Sequence, residues 1–155
     1  MNNILTELLR KKEEVERLTT NLREKIENLY EEIEGCDYTI QELNDGYDYL
    51  NDAIYSLDVV DFNTWELEDI KDSVYREIEE KEDFRDTLED ELKDVKEELS
   101  ELDKRLKDIT NHIINITNLL EYCINNDIVH SVEDYLLIEL GLITSDYDAS
   151  VSLED

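Results

Sequence analysis

The sequence predicts an all-α fold: a long antiparallel coiled-coil helical hairpin with a short C-terminal helix packed at its base. The chain of 155 residues has no proline and only three glycines, a composition that favours long uninterrupted helices. Apolar residues recur at alternating steps of four and three over two long runs, which is the repeat of a left-handed coiled coil. A short linker separates the runs, so we expect the two helices to fold back on each other.

The first run predicts a helix over about residues 2–58. Of its sixteen seam positions, only Lys12 and Thr19 are polar, and Gly35 and Gly46 do not interrupt the register. The sixteen positions are Leu5, Leu8, Lys12, Val15, Thr19, Leu22, Ile26, Leu29, Ile33, Cys36, Ile40, Leu43, Tyr47, Leu50, Ile54 and Leu57.

The second run predicts a helix over about residues 64–125, with the tip of the hairpin at residues 59–63. Asn63 is placed to cap this helix, with Glu66 three residues later. Fourteen of the seventeen seam positions are apolar. They are Leu67, Lys71, Val74, Ile78, Lys81, Arg85, Leu88, Leu92, Val95, Leu99, Leu102, Leu106, Ile109, Ile113, Ile116, Leu120 and Cys123.

Folding the two helices back on each other pairs them about residue 61. At 1.5 Å per residue such a hairpin is about 80–90 Å long. An open chain that pairs only with a second copy uses the same heptads and is the competing arrangement. Both arrangements bury the same two seams.

Residues 1–125 are therefore assigned to the hairpin, residues 126–143 to a short helical head and residues 144–155 to a flexible acidic tail. Ser131 and Asp134 form a capping pattern for the short helix, and Gly141 is placed to end it. At the base of the hairpin the apolar stripe broadens to residues off the two seams: Ile4, Leu9, Ile114, Leu119 and Ile124. We expect the C-terminal helix to cover them or to form a homodimer contact there.

Charge is distributed unevenly along the predicted hairpin. The chain has 44 acidic and 15 basic residues, a net charge of −29. Residues 26–94 hold 25 acidic and 5 basic residues, a net charge of −20, whereas residues 1–25 and 95–125 together come to −1. This sign argues against direct binding of nucleic acid or an anionic membrane, and it favours a basic protein surface as the partner.

The candidate partner-binding residues lie on the outer face of the first helix and at the tip. Counting 100° per residue places seven carboxylates opposite the seam, with four tyrosines on the same face. Tyrosines among carboxylates are typical of binding surfaces, because the ring supplies contact area at a low entropy cost. The candidates are Glu27, Glu31, Glu34, Asp37, Asp45, Asp48, Asp52, Tyr30, Tyr38, Tyr49 and Tyr55, with Asp58 and Asp61 at the tip.

The sequence does not favour an enzyme. His112 and His130 are the only histidines, and no serine or cysteine has a base partner at motif spacing. Cys36 and Cys123 lie on the seams, where we expect small buried hydrophobes. We therefore expect no cofactor and no bound metal. No apolar run reaches the length of a membrane span, so we expect a cytoplasmic protein without a membrane anchor.

The tip, residues 58–63, resembles the Asp-x-x-Asp tip of the DksA and Gre type of coiled-coil finger, which regulates bacterial RNA polymerase. The resemblance covers about six residues, with Asp58 and Asp61 as the two acids. The zinc-binding cysteines of the DksA type are absent. The resemblance implies a regulator of RNA polymerase that acts through its acidic tip.

In size, helicity and charge the whole chain is similar to the DNA-mimic proteins with which bacteriophages inhibit restriction, recombination or CRISPR nucleases. That class has no common motif, so no residue role is carried over. A net charge of −20 over about 48 Å is one charge per roughly 2.4 Å, against one per about 1.7 Å of duplex DNA. The resemblance implies a non-catalytic inhibitor of a nucleic-acid enzyme. A coiled-coil scaffold, assembly chaperone or adaptor is the alternative from another class.

Overall fold

The computed structural model describes residues 2–125 of the chain, and the side chains of residues 4–123. This part is all-α, with helix α1 at Asn2–Asp58 and helix α2 at Trp65–Asn125 and no strand within it. The bounds agree with the prediction, except that α2 begins one residue later than expected. The predicted C-terminal helix at 126–143 and the tail at 144–155 lie outside the described residues.

The two predicted seams are confirmed along their whole length. All thirty-three seam positions, from Leu5 to Leu57 and from Leu67 to Cys123, are buried or half-buried. Outside the seams, seven other described residues are covered to this degree: Ile4, Thr39, Gly46, Asn51, Thr64, Thr110 and Leu119. The heptad repeat therefore accounts for nearly all of the burial in both helices.

The chain divides into two compact units, and each contains a segment of both helices. We call residues 22–98 the acidic unit, because its 28 acidic and 8 basic residues give it a net charge of −20. Of the other unit the structure describes residues 2–21 and 99–125, and we call this described part the mixed-charge unit, because its 8 acidic and 7 basic residues come to −1.

Within the acidic unit the chain folds back on itself as an antiparallel hairpin. Its core consists of residues from both helices, namely Leu29, Ile33, Cys36, Leu88, Leu92 and Val95, with Leu22 and Ile26 packed against them. The Lys25 ammonium lies 3.1 Å from a Glu91 carboxylate oxygen, and the rings of Tyr47 and Tyr75 are 6.2 Å apart. In each pair, the midpoint between the two residue numbers lies within about three residues of residue 61. The predicted antiparallel pairing is confirmed, and it forms within one chain.

The turn between the helices is held by backbone and side-chain hydrogen bonds. The Phe62 N–H donates to the Leu57 carbonyl (3.0 Å) and the Asp61 N–H to the Asp58 carbonyl (3.1 Å), the two bonds of a Schellman motif. Asp61 occupies the left-handed position of this motif with a φ of 57°, where glycine is the usual residue. The motif fixes how α1 ends.

Side chains of the turn fix how α2 begins. The Asn63 side-chain oxygen accepts a hydrogen bond from the Trp65 N–H (3.2 Å), so Asn63 caps the first N–H of α2. The N-cap position itself is Thr64, whose carbonyl accepts the first helical bond, from the Glu68 N–H (2.9 Å). Thr64 is buried, and its hydroxyl donates to the Asp58 carboxylate (3.1 Å). Asp58 therefore links the end of α1 to the start of α2.

The mixed-charge unit has its own apolar core. Ile116 and Cys123 are fully buried there, with Ile4, Leu5, Leu8, Leu119 and Leu120 packed against them. Thr19 is also buried, and its hydroxyl donates to the Val15 carbonyl (2.8 Å), so the polar seam position is satisfied. Cys36 in the acidic unit and Cys123 here are both buried free thiols, which confirms their expected packing role. Burial raises the pKa of the Cys123 thiol.

Candidate partner-binding face

All seven candidate carboxylates of α1 are exposed: Glu27, Glu31, Glu34, Asp37, Asp45, Asp48 and Asp52. Asp45 also accepts a hydrogen bond from the Gln41 side-chain amide (3.0 Å), one helical turn earlier. From Ile26 to Ile70 the chain contains 14 carboxylates and no lysine or arginine. The outer face of α1 in the acidic unit is therefore an uninterrupted anionic surface.

Three of the candidate tyrosines stand on this surface with most of their area in water. Tyr38, Tyr49 and Tyr55 are 66%, 75% and 74% exposed. A hydrogen bond to Glu42, together with the charge of that carboxylate, raises the pKa of Tyr38. The phenol is thus a donor to its neighbouring carboxylate, and the ring is free for contact with a partner.

Two of the thirteen candidates do not lie opposite the seam as predicted. The Tyr30 hydroxyl accepts a hydrogen bond from the Lys96 ammonium of α2, which lies 4.8 Å from the centre of the Tyr30 ring. Asp37 forms an ion pair with Arg85 of α2. Both side chains therefore point along the flank of the hairpin toward α2.

The heptad explains this correction. Tyr30 directly follows the seam residue Leu29, and Asp37 directly follows Cys36, so both occupy the e position beside the seam. In a coiled coil, e and g side chains reach across to the neighbouring helix. A residue directly after a seam residue lies only about 100° from it around the helix, which places it beside the seam and not opposite it. The partners Lys96 and Arg85 could have been found from the predicted pairing about residue 61.

The flanks of α1 are nearly free of acids, which lets α2 lie alongside. Between Ile26 and Leu57 the e and g positions are Tyr30, Glu32, Asp37, Thr39, Asn44, Gly46, Asn51 and Ala53, and only two of these eight are acidic. The flanks of α2 carry the acids Glu68, Glu77, Glu82, Glu89 and Glu91. Carboxylates facing each other across the seam would repel. The α1 acids are concentrated on its outer face instead.

Where acids do meet at the flank, a seam cation lies between them. Arg85 binds Asp37 on α1 and also Glu89 on its own helix, at 3.1 Å. Desolvation alone would lower the pKa of Arg85, but the hydrogen bond to Asp37 and the charges around it raise it. Lys71, also on the seam, lies 5.6 Å from the centre of the Tyr47 ring. These cations interact with groups along the seam and the flanks of the hairpin, so the outer face of α1 stays negative.

No family model, curated protein or solved structure matches this chain.

At the tip, the structure separates the two candidate aspartates by role. Both are exposed, but the Asp58 carboxylate accepts the Thr64 hydroxyl and so holds the turn. Asp61 has the left-handed backbone conformation at the end of α1. The last turn of α1 contains no basic residue, so the negative end of the helix dipole adds to the charge of both aspartates.

The tip also carries four exposed apolar side chains that were not among the candidate residues. Val59, Val60, Phe62 and Trp65 are 69%, 68%, 64% and 57% exposed. The sequence signal for these side chains was the presence of large apolar residues in and next to the turn, at positions outside the heptad seams. Within residues 2–125, neither helix has a stretch long and apolar enough to span a membrane.

Proposed function

We propose that this protein is a non-catalytic inhibitor whose acidic unit occupies the nucleic-acid groove of a DNA-processing or host-defence enzyme. The observation that supports it most is the outer face of α1, where exposed carboxylates run from Glu27 to Asp52 without an intervening base. Exposed tyrosines on the same face supply contact area. The corresponding site of action is the bacterial cytoplasm, where such enzymes bind DNA.

The electrostatics set the expected behaviour of such an inhibitor. A groove that binds DNA is lined with Lys and Arg, which attract a dense line of negative charge over distances set by the Debye length. The attraction accelerates encounter and weakens steeply as salt is added. The inhibitor therefore competes with DNA for the same basic residues.

The test is displacement of labelled duplex DNA from a panel of purified bacterial nucleases, methyltransferases and recombinases. Fluorescence anisotropy reports the DNA that remains bound as the protein is added, at several salt concentrations. The test variant combines Asp45→Lys, Asp48→Lys and Asp52→Lys, which are exposed and lie away from the seam. We expect it to fold normally and to displace DNA at least about tenfold less well.

A matched control changes the same number of charges elsewhere. Glu13→Lys, Glu101→Lys and Asp108→Lys replace three exposed carboxylates of the mixed-charge unit and shift the net charge equally. This control should displace DNA nearly as well as the unchanged protein. Displacement that is equally weakened by both triple variants would show that only total charge matters. Failure to displace DNA from any enzyme of the panel would refute the proposal.

A coiled-coil scaffold or adaptor is the second candidate, favoured by apolar side chains exposed on the mixed-charge unit. Leu9 is 43% and Ile114 is 50% exposed. Both were predicted to need a covering surface, and a homodimer contact would provide one. Light scattering after size exclusion decides: a dimer that Leu9→Ser with Ile114→Ser converts to a monomer supports the scaffold, and a monomeric unchanged protein contradicts it.

A regulator of RNA polymerase that acts through Asp58 and Asp61 is the third candidate. The exposure of both aspartates at the tip favours it. Addition of the protein to a purified bacterial RNA polymerase during transcription from a linear template is the test. Loss of an effect on Asp61→Asn would support this reading, and no effect of the unchanged protein would dismiss it.

A further inference from the structure

The turn between the helices exposes a compact group of large apolar side chains. Val59, Val60, Phe62 and Trp65, which we call the apolar tip, are each more than half exposed within seven residues of chain. Together they present roughly 400 Å² of apolar surface, the size of the largest patch on a typical monomer. The largest apolar patch on a monomer is often functional.

The backbone beneath the apolar tip is fixed. The Schellman bonds of Phe62 and Asp61, the Asn63 cap and the Asp58–Thr64 bond together leave the turn with few alternatives. Asp61 has a φ of 57°, a conformation in which a glycine would be free of strain. A pre-organised turn loses little entropy when its side chains are bound.

Charge identifies the kind of surface that can cover the apolar tip. The nearest ionised residues on both sides, Asp58, Asp61, Glu66, Glu68 and Asp69, are all acidic. A second copy of the chain, or an anionic membrane, would bring like charge against them. An apolar pocket with an Arg or Lys rim on a protein is complementary in both respects.

We propose that the apolar tip is an anchor that inserts into an apolar pocket, rimmed by basic residues, on the same enzyme whose groove receives the acidic unit. This inference rests on the proposed function. Roughly 400 Å² is about half of what one partner buries in a stable complex, so the tip adds to the contact of α1 and does not replace it. Phe and Trp in a pocket slow dissociation, whereas surface charge mainly speeds association.

The anchor supplies the selectivity that charge lacks. DNA-binding proteins in general attract an anionic surface, and salt weakens all of these electrostatic encounters. An apolar contact is little affected by salt and requires a pocket of matching shape. The enzyme bound through both features should therefore remain bound at a salt concentration that releases the others.

The experiment uses the full-length protein immobilised on resin and a bacterial lysate loaded at low salt. Proteins that remain after a high-salt wash are eluted, identified and purified. Trp65 is the only tryptophan of the chain, so its fluorescence reports the tip directly. The tryptophan emission of the retained partner is measured on the partner alone and is subtracted from the emission of the complex. We expect the Trp65 emission to shift to shorter wavelength when the purified protein binds.

The test variant is Val60→Ser with Phe62→Ser, and the matched control is Ile70→Ser with Phe84→Ser. Ile70 and Phe84 are also half exposed and belong to the same unit, but lie outside the turn. The tip variant should bind the retained enzyme about ten- to a hundredfold more weakly, through faster dissociation, with its salt dependence unchanged. Circular dichroism checks that both variants keep their helicity, and Trp65→Ala repeats the test with a substitution on α2.

The outcomes separate the two proposals. The anchor proposal is overturned if the tip variant and its control retain the enzyme equally at high salt, or if no protein is retained at high salt. This holds even if the triple Lys variant no longer displaces DNA. A different outcome is a retained protein that depends on the tip but binds the triple Lys variant and the unchanged chain equally well. That result overturns the groove proposal and leaves the tip as the binding site.

Discussion

The acidic unit and the mixed-charge unit are built on the same heptad seam but carry very different surfaces. One holds a net charge of −20 and the other −1, yet seam positions are covered in both. The acidic unit tolerates its charge because α1 keeps its flanks nearly neutral and because Lys71, Lys81 and Arg85 lie on its seam. The mixed-charge unit needs no such arrangement, since exposed pairs such as Arg10 with Glu7 balance locally. The same seam packing therefore supports both units, although their surfaces differ in charge.

The largest expected effect is on the two apolar cores. Leu88 of the acidic unit and Ile116 of the mixed-charge unit are 4% and 0% exposed. Replacing either by alanine should lower the free energy of unfolding by about 2–5 kcal/mol, because a cavity is left behind. Amide hydrogen exchange by mass spectrometry should show faster exchange mainly in the unit that carries the substitution. Thr87→Ala, at the exposed residue beside Leu88, is the control and should cost far less.

Seam cations should matter more in the acidic unit. Arg85→Ala removes the contacts with Asp37 and Glu89, and it should lower the melting temperature by several degrees at low salt. Lys12→Ala in the mixed-charge unit removes a seam cation whose ammonium lies 3.8 Å from the Glu16 carboxylate, and it should have a smaller effect. The difference should shrink as salt is added, because screening weakens the field of the surrounding carboxylates. Equal shifts for the two variants would show that the cations act by packing alone.

A stabilising pair of substitutions is available in the acidic unit. A side-chain carbon added at Gly35 or Gly46 meets nothing within 4 Å. Because both glycines lie inside α1 and neither is required by a close approach, alanine at each should raise the free energy of unfolding by about 0.5–1 kcal/mol. Urea denaturation of the single and double variants measures this. A loss of stability would mean that the acidic unit depends on bending at these positions.

The smallest expected effect is a difference in pH response. In the mixed-charge unit a hydrogen bond from Arg10 lowers the pKa of Glu7. The contribution of Glu7 to the stability of the folded protein is therefore present above the ordinary pKa of a glutamate, and it is lost as pH falls through the pKa of Glu7 in the folded state. In the acidic unit the charge of Glu79 raises the pKa of Tyr75, so stabilisation is present below the ordinary value of 10.0 and is lost as pH rises through the folded value.

Site-resolved titration by NMR separates these two groups. Arg10→Gln should return the Glu7 pKa toward its ordinary range, and Glu79→Gln should do the same for Tyr75. A Tyr75 titration that does not respond to Glu79→Gln would mean that the general charge of the unit, and not this neighbour, sets its pKa.

Most of the fold could be predicted because a heptad repeat encodes its own packing. The seams, the antiparallel pairing about residue 61 and the cap at Asn63 all follow from short-range rules, and the helix bounds differ by one residue at Thr64. Thr64 stays outside α2 because its hydroxyl reaches back to Asp58, a contact that requires the folded turn. Sequence patterns alone do not show such a contact.

The candidate site was less predictable, since it depends on what lies across the seam. Tyr30 and Asp37 were placed on the outer face from their position on α1 alone, and contacts with Lys96 and Arg85 move them to the flank. Trp65 is exposed because it lies outside the seam positions of α2, a placement that the heptad already contains. Exposed carboxylates such as Asp45 and Asp48 were predicted correctly as exposed, because no partner on α2 competes for them.

The absence of bases between Lys25 and Lys71 has a consequence for the lifetime of the protein. A protease that cleaves after Lys or Arg finds no site over this stretch, so complete digestion releases the outer face of α1 and the whole turn as one 46-residue fragment, residues 26–71. Modifying enzymes that act on lysine amines likewise find no target there. The outer face of α1 and the turn are thus closed to two common ways of cutting or modifying a chain.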